Sequence, residues 1–397
     1  MKTFSLKIQP GDHMQFEFVT SDRIIFGNGA LSKLITAAQQ MGQHALIVCG
    51  SGSVALDPLL YVLEHAGVES DIFRIAKEPD IPTVEAGVRL GKSAGCDFVI
   101  GYGGGSSLDG AKAIAAMLNN PGGLMDYLEV IGGGKEIPNP SLPMIAIPTT
   151  AGTGTEVTRN AVISSPEKHV KVSMRSVKMI PRLAVVDPEL TYSMPPSVTA
   201  STGMDALTQV IEAYVSLRAN PMTDAIAREG IQRGGRSLLN AYQNGANTQA
   251  REDMAVASLF GGLALANSGL GAVHGFAGPI GGMFDAPHGV ICACLLPAVM
   301  KVNAIALDED EEGGEGKRRY RAVAQMLTGV QDASISEGVA WVAALAKDLN
   351  IPGLHAMGIK KSDFPAIIEK AKVSSSMKSN LVRLTDGQLL TILEGSF

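Results

Sequence analysis

The chain has 397 residues, 46% of them hydrophobic and 18% charged. That is ample for two buried cores at the usual ~100–200 residues per domain, and it argues against global disorder. A net charge of −6 with no basic stripe argues against nucleic acid or an anionic membrane as principal partner. The four cysteines, Cys49, Cys96, Cys292 and Cys294, include no CxxC pair and read as reduced thiols of a cytoplasmic protein.

The first residues, MKTFSLKIQPGDHMQFEF, alternate polar and apolar and lack the apolar centre of a signal peptide. Short apolar runs follow: ALIVC at 45–49, DFVIGY at 97–102, LPMIAIP at 142–148 and LAVVD at 183–187. Between them lie helix-period segments, LSKLITAAQQMG, the stretch after Pro82 and SLDGAKAIAAML. Such alternation predicts a parallel α/β sheet. Two prolines in DPELTYSMPPS then interrupt regular structure. Beyond them 197–216, 220–242, 249–267, 288–304, 317–328 and 335–348 read as helices, with Ser197 as an expected N-cap. The organisation expected is an α/β domain over 1–190 and an all-α domain over 191–397. No apolar run approaches the ~18–20 residues of a membrane helix. The longest, VICACLLPAVM, contains Pro297, and the charged run at 308–319 reads as a solvated loop.

Two loops carry nucleotide chemistry. Strand 97–101 runs into GYGGGSSLDGAKAIA, where Gly103, Gly104 and Gly105 let the backbone approach a diphosphate. The helix that follows turns its N-terminal N–H groups toward that anion, with Ser106 as a donor or cap. The loop IPTTAGTGTEVTRN brings Thr149, Thr150, Thr153, Thr155 and Thr158, which suit a phosphate or a nicotinamide ribose. Two such loops on neighbouring strands fit the switch-point rule for open α/β sheets. A second constellation follows. Asp205 and Gln209, four apart in GMDALTQVIEAYV, share a helix face, and His274 and His288 sit fourteen apart in HGFAGPIGGMFDAPHG. A carboxylate, an amide and two imidazoles are a set that closes around one divalent metal.

The motifs GGGSSLD, PTTAGTGTEVT, GMDALTQVIEAYVS and AVHGFAGPIGGMFDAPHG occur in that order, and with them the chain resembles the iron-containing (group III) alcohol dehydrogenases. The resemblance runs from RIIFGNGAL near residue 23 to SMKSN near 376. It implies a dehydroquinate synthase-like fold: an N-terminal dinucleotide-binding α/β domain, an all-α C-terminal domain and an active site between them. It also implies assembly into homodimers or larger homo-oligomers. The family's metal ligands are an aspartate and three histidines, which maps the catalytic metal, Fe²⁺ or Zn²⁺, to Asp205, His274 and His288. Gln209 stands where the family has a histidine, and Gly278 stands where relatives often carry a second histidine thought to move a proton. Gln209 could ligate the metal or hold a metal-bound water, or the site could be empty; an amide oxygen is a weaker donor than imidazole.

The resemblance further places Asp109, Thr158, Asn160 and Lys171 in the cofactor region, a solvated lysine being the plain alternative for Lys171. NAD-preferring relatives often have an aspartate at the end of the first long strand. Here Gly50 and Ser51 take that position, followed by Gly52 and Ser53, so NADP(H) is expected to be accepted beside NAD(H). The reading is an NAD(P)-dependent, metal-assisted alcohol dehydrogenase or aldehyde reductase for small neutral substrates. The alternatives are a metal-independent reductase of the maleylacetate reductase kind, a lyase on the same fold, and a nucleotide-binding protein with a decayed site.

Overall fold

In the computed structural model, residues 15–51, 55–284, 286–309 and 314–397 are described. Gly52, Ser53 and part of the 308–319 charged run lie outside them. The N-terminal half holds β1 (Arg23–Phe26), α1 (Leu34–Met41), β2 (His44–Gly50), α2 (Asp57–Ala66), β3 (Glu69–Ile75), α3 (Ile81–Ala94), β4 (Phe98–Gly103), α4 (Gly105–Leu118), β5 (Met144–Pro148) and β8 (Leu183–Val186). An antiparallel hairpin of β6 (Asn160–Ser165) and β7 (Val170–Arg175) precedes β8. The six-stranded sheet is wholly parallel, in the order β1-β8-β5-β4-β2-β3. β4 and β5 are buried at every position, as expected of strands covered on both faces. One apolar core packs on each face.

The chain winds outward from β2 to β3, then crosses back over β2 to β4 and continues to β5 and β8. The winding reverses between β2 and β4, so the crevice lies at their C-terminal ends, where Gly50 and Gly103–Gly105 sit.

The C-terminal half is helical: α5 (Pro196–Tyr214), α6 (Pro221–Gln243), α7 (Thr248–Ser268), α8 (Ala272–Met283), α9 (His288–Glu309), α10 (Gly314–Thr328), α11 (Ile335–Asp348), α12 (Phe364–Val373) and α13 (Asp386–Gly395). They enclose one large apolar core. The halves meet over a smaller cluster of Val157, Ala184 and Val186 against Ala255, Leu259 and Leu263. The N-terminal strand region is also tied across: Asn267 on α7 accepts from the Val19 N–H at 2.7 Å and donates to its carbonyl at 2.9 Å.

Several expectations are corrected. Ser197 is not the N-cap of α5; Pro195 holds that place in an extended conformation, and Pro196 begins the helix with its fixed φ and missing N–H. Ser106 is not a cap either: Gly104 precedes α4 and no side chain caps it. β1, β3, the β6–β7 hairpin, α2, α8, α12 and α13 were not read from the sequence. α8 was hidden by its four glycines and Pro279, which lower helix propensity. Tertiary packing compensates, because Gly275 faces Met377 and Gly282 faces the β7 backbone with no room for a Cβ. α9 is longer than its apolar run suggested. By length and composition it meets what a membrane span needs, yet most of it is buried as a central helix against α5, α8, α11 and α13.

Candidate metal and cofactor site

The site is built on α5. Asp205, Gln209 and Glu212 recur at helical spacing and all three are buried. Glu212 reaches the start of α8, whose N-cap Gly271 offers no side chain. Its Oε1 accepts the Val273 N–H at 2.7 Å and its Oε2 the His274 N–H at 3.3 Å. Asn380 Oδ1 accepts from Ala272 N–H at 3.2 Å. A carboxylate at this positive helix end is favourable. The same Glu212 Oε2 lies 2.7 Å from His274 Nδ1. A carboxylate there accepts a hydrogen bond from Nδ1–H, which fixes the proton on Nδ1 and leaves the Nε2 lone pair free to ligate, the outer-shell arrangement of metal-ligating histidines.

His274 Nε2 points at Asp205 Oδ1, 3.2 Å away, and His288 Nε2 stands 3.9 Å from the same oxygen. The two imidazole centroids are 5.4 Å apart. Cys292, one turn after His288 on α9, completes the cluster: its Sγ is 3.6 Å from His288 Nε2 and 3.8 Å from His274 Nε2. The four donor atoms all lie within 4.8 Å of one another. Burial opposes charge throughout, yet His274 and His288 hold the Asp205 carboxyl below its usual range. Burial likewise opposes protonation of both imidazoles, but Cys292 and Asp205 raise them above the ordinary histidine value, with Glu212 adding to His274. The pocket thus draws positive charge, and a divalent cation fits its mix of oxygen, nitrogen and sulfur donors.

Gln209 lies beside this cluster. Its Nε2 donates to the Gly152 carbonyl at 3.3 Å, while its buried Oε1 has no hydrogen-bond partner. That oxygen is aimed at Gly261 on α7, where a Cβ would stand 2.7 Å from it.

The cofactor side centres on the glycine turn. Gly103 has φ 149°, a conformation that favours glycine, and its carbonyl accepts the buried Thr149 N–H at 2.9 Å. The uncapped α4 N-terminus, with Gly105 and Ser106 in its first turn, leaves N–H groups for an anion. The threonine loop packs against this turn. A Cβ on Gly104 would lie 3.3 Å from Thr150 Cγ2, and one on Gly105 would lie 2.8 Å from Thr153 Cγ2. At its far side the loop is pinned to the helices, because Gly154 (φ 60°) and Gly262 on α7 meet backbone to backbone with no space for a Cβ on either.

Beneath the loop lies a fully buried amine. Lys112 on α4 donates to the Thr155 carbonyl at 3.1 Å, to Thr158 Oγ1 at 2.9 Å, and to Thr155 Oγ1 and the Asn160 carbonyl. Asp109 Oδ1 stands 3.1 Å from the amine and accepts from Thr155 Oγ1 at 2.5 Å, while Oδ2 accepts the Val162 N–H at 3.0 Å. The polar atoms of Asp109 and Thr158 and the carbonyl of Asn160 are therefore engaged inside the protein.

Gly50 and the exposed Ser51 end β2 beside the glycine turn. Register pairs Cys49 with Arg74 on β3, and the Arg74 guanidinium donates to the Gly50 carbonyl at 3.2 Å. Lys171 is not a solvated lysine. Only 11% of its side chain is exposed, and its ammonium is 2.7 Å from Glu78, beside Gly281 of α8.

Sequence reasoning missed Cys292, Glu212, Lys112 and Arg74. Cys292 carried a usable signal, since it follows His288 by one helical turn. Glu212 follows Asp205 by seven residues, a spacing that also keeps one helix face. Arg74 had no local signal, because only strand pairing brings it to Gly50.

The sequence profile described as "Iron-containing alcohol dehydrogenase" matches residues 21–188, and "Fe-containing alcohol dehydrogenase family, C-terminal" matches 199–397. The chain is 35% identical to the 1,3-propanediol dehydrogenase of Klebsiella pneumoniae over 97% of its own length and 100% of that protein. It is 35% identical to the NAD-dependent methanol dehydrogenase of Bacillus methanolicus over 90% of this chain and 93% of that one. A crystal structure of 1,3-propanediol oxidoreductase superposes with a TM-score of 0.89 at 34% identity, covering 97% of this chain and 100% of the other.

Proposed function

Because the chain belongs to the iron-containing alcohol dehydrogenase family, we propose that it moves hydride between a nicotinamide dinucleotide and the carbinol carbon of a small neutral alcohol. It is an NAD(P)-dependent alcohol dehydrogenase, an oxidoreductase acting on CH–OH. One observation carries the reading. The loop 149–158 touches the glycine turn through Thr150 and Thr153 and touches α5 through the Gly152 carbonyl. The expected diphosphate seat and the Asp205–His274–His288 cluster thus flank a single stretch of backbone, which suits a nicotinamide laid between them.

In this reading Gly103–Ser106 seat the diphosphate on the α4 N-terminus. The threonine loop, fixed from below by Lys112, would line the nicotinamide. Asp205, His274 and His288 would hold a divalent cation, which when bound would supply Lewis acidity toward the substrate oxygen. Glu212 keeps the His274 Nε2 free for that role. Gly278 carries no proton donor, so a solvent-borne relay delivers the proton that the alcohol oxygen needs. Arg74 beside Gly50 supports acceptance of NADP(H), since a guanidinium there can meet a 2′-phosphate.

The test is turnover of short alcohols and aldehydes, beginning with methanol and 1,3-propanediol, with both cofactors, before and after chelation. Activity that vanishes with the metal and returns on reloading supports the reading. Full turnover after exhaustive chelation would move the protein to the metal-independent reductases. Tight cofactor binding without turnover on the whole panel would move it to a binding role.

A further inference from the structure

Among the described residues, four donor atoms converge at the cleft, and one of them belongs to a residue outside the family's aspartate-and-three-histidine set. We propose that the Cys292 thiolate is the fourth protein ligand of the metal, in place of the histidine that Gln209 replaces, making an Asp–His–His–Cys site that selects Zn²⁺. The inference rests on the metal-dependent reading above and names the ligand that completes it.

Geometry carries the argument first. Bonds of about 2.0–2.1 Å to oxygen and nitrogen and 2.3 Å to sulfur put neighbouring ligand atoms roughly 3.3–3.6 Å apart, and expansion to five-coordinate leaves a place for the substrate oxygen. The separations are 3.2 Å for His274 to Asp205, 3.9 Å for His288 to Asp205, 3.6 Å for His288 to Cys292 and 3.8 Å for His274 to Cys292. The other two pairs also lie within 4.8 Å, so shifts on the order of 1 Å bring all four onto one ion. The thiol is wholly buried and, among the described residues, has the two imidazoles as its hydrogen-bonding neighbours, whereas Cys294 donates to the Ser396 carbonyl at 3.1 Å.

Gln209 is placed differently. Its amide nitrogen donates to the Gly152 carbonyl and faces the Asp205 carboxylate, and its oxygen is turned toward Gly261. Turning the amide over would set its oxygen against the Gly152 carbonyl, acceptor facing acceptor. Gln209 therefore props the threonine loop, and the fourth donor of the cluster comes from α9 instead.

Charge and softness decide the metal. Aspartate and thiolate together cancel a dication, where an aspartate with three neutral imidazoles leaves one positive charge. A thiolate ligand also shifts preference from iron(II) toward zinc.

The experiment uses the full chain stripped of metal and reloaded with Co²⁺, read by absorption spectroscopy. A thiolate-to-cobalt charge-transfer band in the near ultraviolet is expected in the native protein, together with one equivalent of zinc retained after ordinary purification. Cys292→Ser should lose the band and bind zinc at least about tenfold more weakly, the lower end of what site perturbations produce. Gln209→Ala should keep the band. Circular dichroism and NAD(P)H binding check that each variant is folded, and the native spectrum is decisive without any variant. Cobalt bound with no thiolate band would overturn the Cys292 assignment while leaving a metal enzyme. Failure to bind cobalt or zinc at all would overturn the metal-dependent reading itself.

Discussion

Lys112→Met tests the claim that one buried amine holds the cofactor loop in place. Methionine keeps the length and apolar stem of lysine but removes every donor. The amine serves the carbonyls of Thr155 and Asn160, the hydroxyls of Thr155 and Thr158, and the Asp109 carboxylate, and it is wholly buried. Asp109 keeps two donors, Thr155 Oγ1 and the Val162 N–H, so it is not stripped bare. It does lose its counter-charge in a dry setting. Removing one partner of a buried pair costs roughly 3–5 kcal/mol, a factor of some hundreds to thousands in the local opening equilibrium. The readout is amide hydrogen exchange in peptides spanning 149–165. The sole tryptophan, Trp341 on α11, reports only on the helical half. Adding Asp109→Asn should restore much of the loss, because the amide keeps an acceptor without an unpaired charge. The Michaelis constants for both cofactors should rise in the single variant and recover in the double. A shift below about 1 kcal/mol in Lys112→Met, or no recovery on adding Asp109→Asn, would refute the reasoning.

Other expectations can be checked on the same preparation. Burial pushes the Glu156 carboxyl up to about 7, against the pull of its own backbone N–H and of Lys112. The folded protein thus binds this proton more tightly than the unfolded chain, and that stabilisation is complete below about pH 4.5 and lost as pH climbs to about 7. Glu156→Gln cannot lose the proton, so its thermal stability should gain on the native protein between pH 5 and 8 by about 1.4 kcal/mol per unit at most; parallel curves would count against it. Arg74→Ala should lower kcat/KM for NADPH by roughly fivefold, about 1 kcal/mol for an exposed charged contact, and leave NADH unchanged. Equal losses for the two cofactors would remove Arg74 from 2′-phosphate recognition. A Cβ at Gly278 meets nothing within 4 Å, so Gly278→His should fold. One helical turn from His274, it should add an ionisation near the ordinary histidine value of about 6.5 to the pH–rate profile. Identical profiles would argue against proton transfer from that position.

Strongly periodic segments were legible from residues alone. The fully buried strands β4 and β5 and the turns after them needed only local rules, namely continuous apolar runs ended by glycine and threonine. Asp205, His274 and His288 were legible through the resemblance and come together here. The hidden parts share a physical cause. α8 has poor intrinsic propensity, and its glycines make sense only once Met377 and β7 are packed against it. Ser197 looked like a cap because hydroxyls favour that place, but a proline one residue earlier had already started the helix.

The sequence by itself determined the two-part organisation, the glycine and threonine loops on neighbouring strands, and the types of group available for a metal. Those depend on spacing within ten or so residues, which the chain carries wherever it goes. Tertiary structure alone decided which groups meet. Parallel pairing of β2 with β3 brought Arg74 to Gly50. The approach of α5 to α8 set Glu212 behind His274. The start of α9 turned Cys292 into the space between two imidazoles, while the Gln209 amide bonds the loop at Gly152. Each of these contacts joins residues from separate elements, and no local pattern encodes the distance between them.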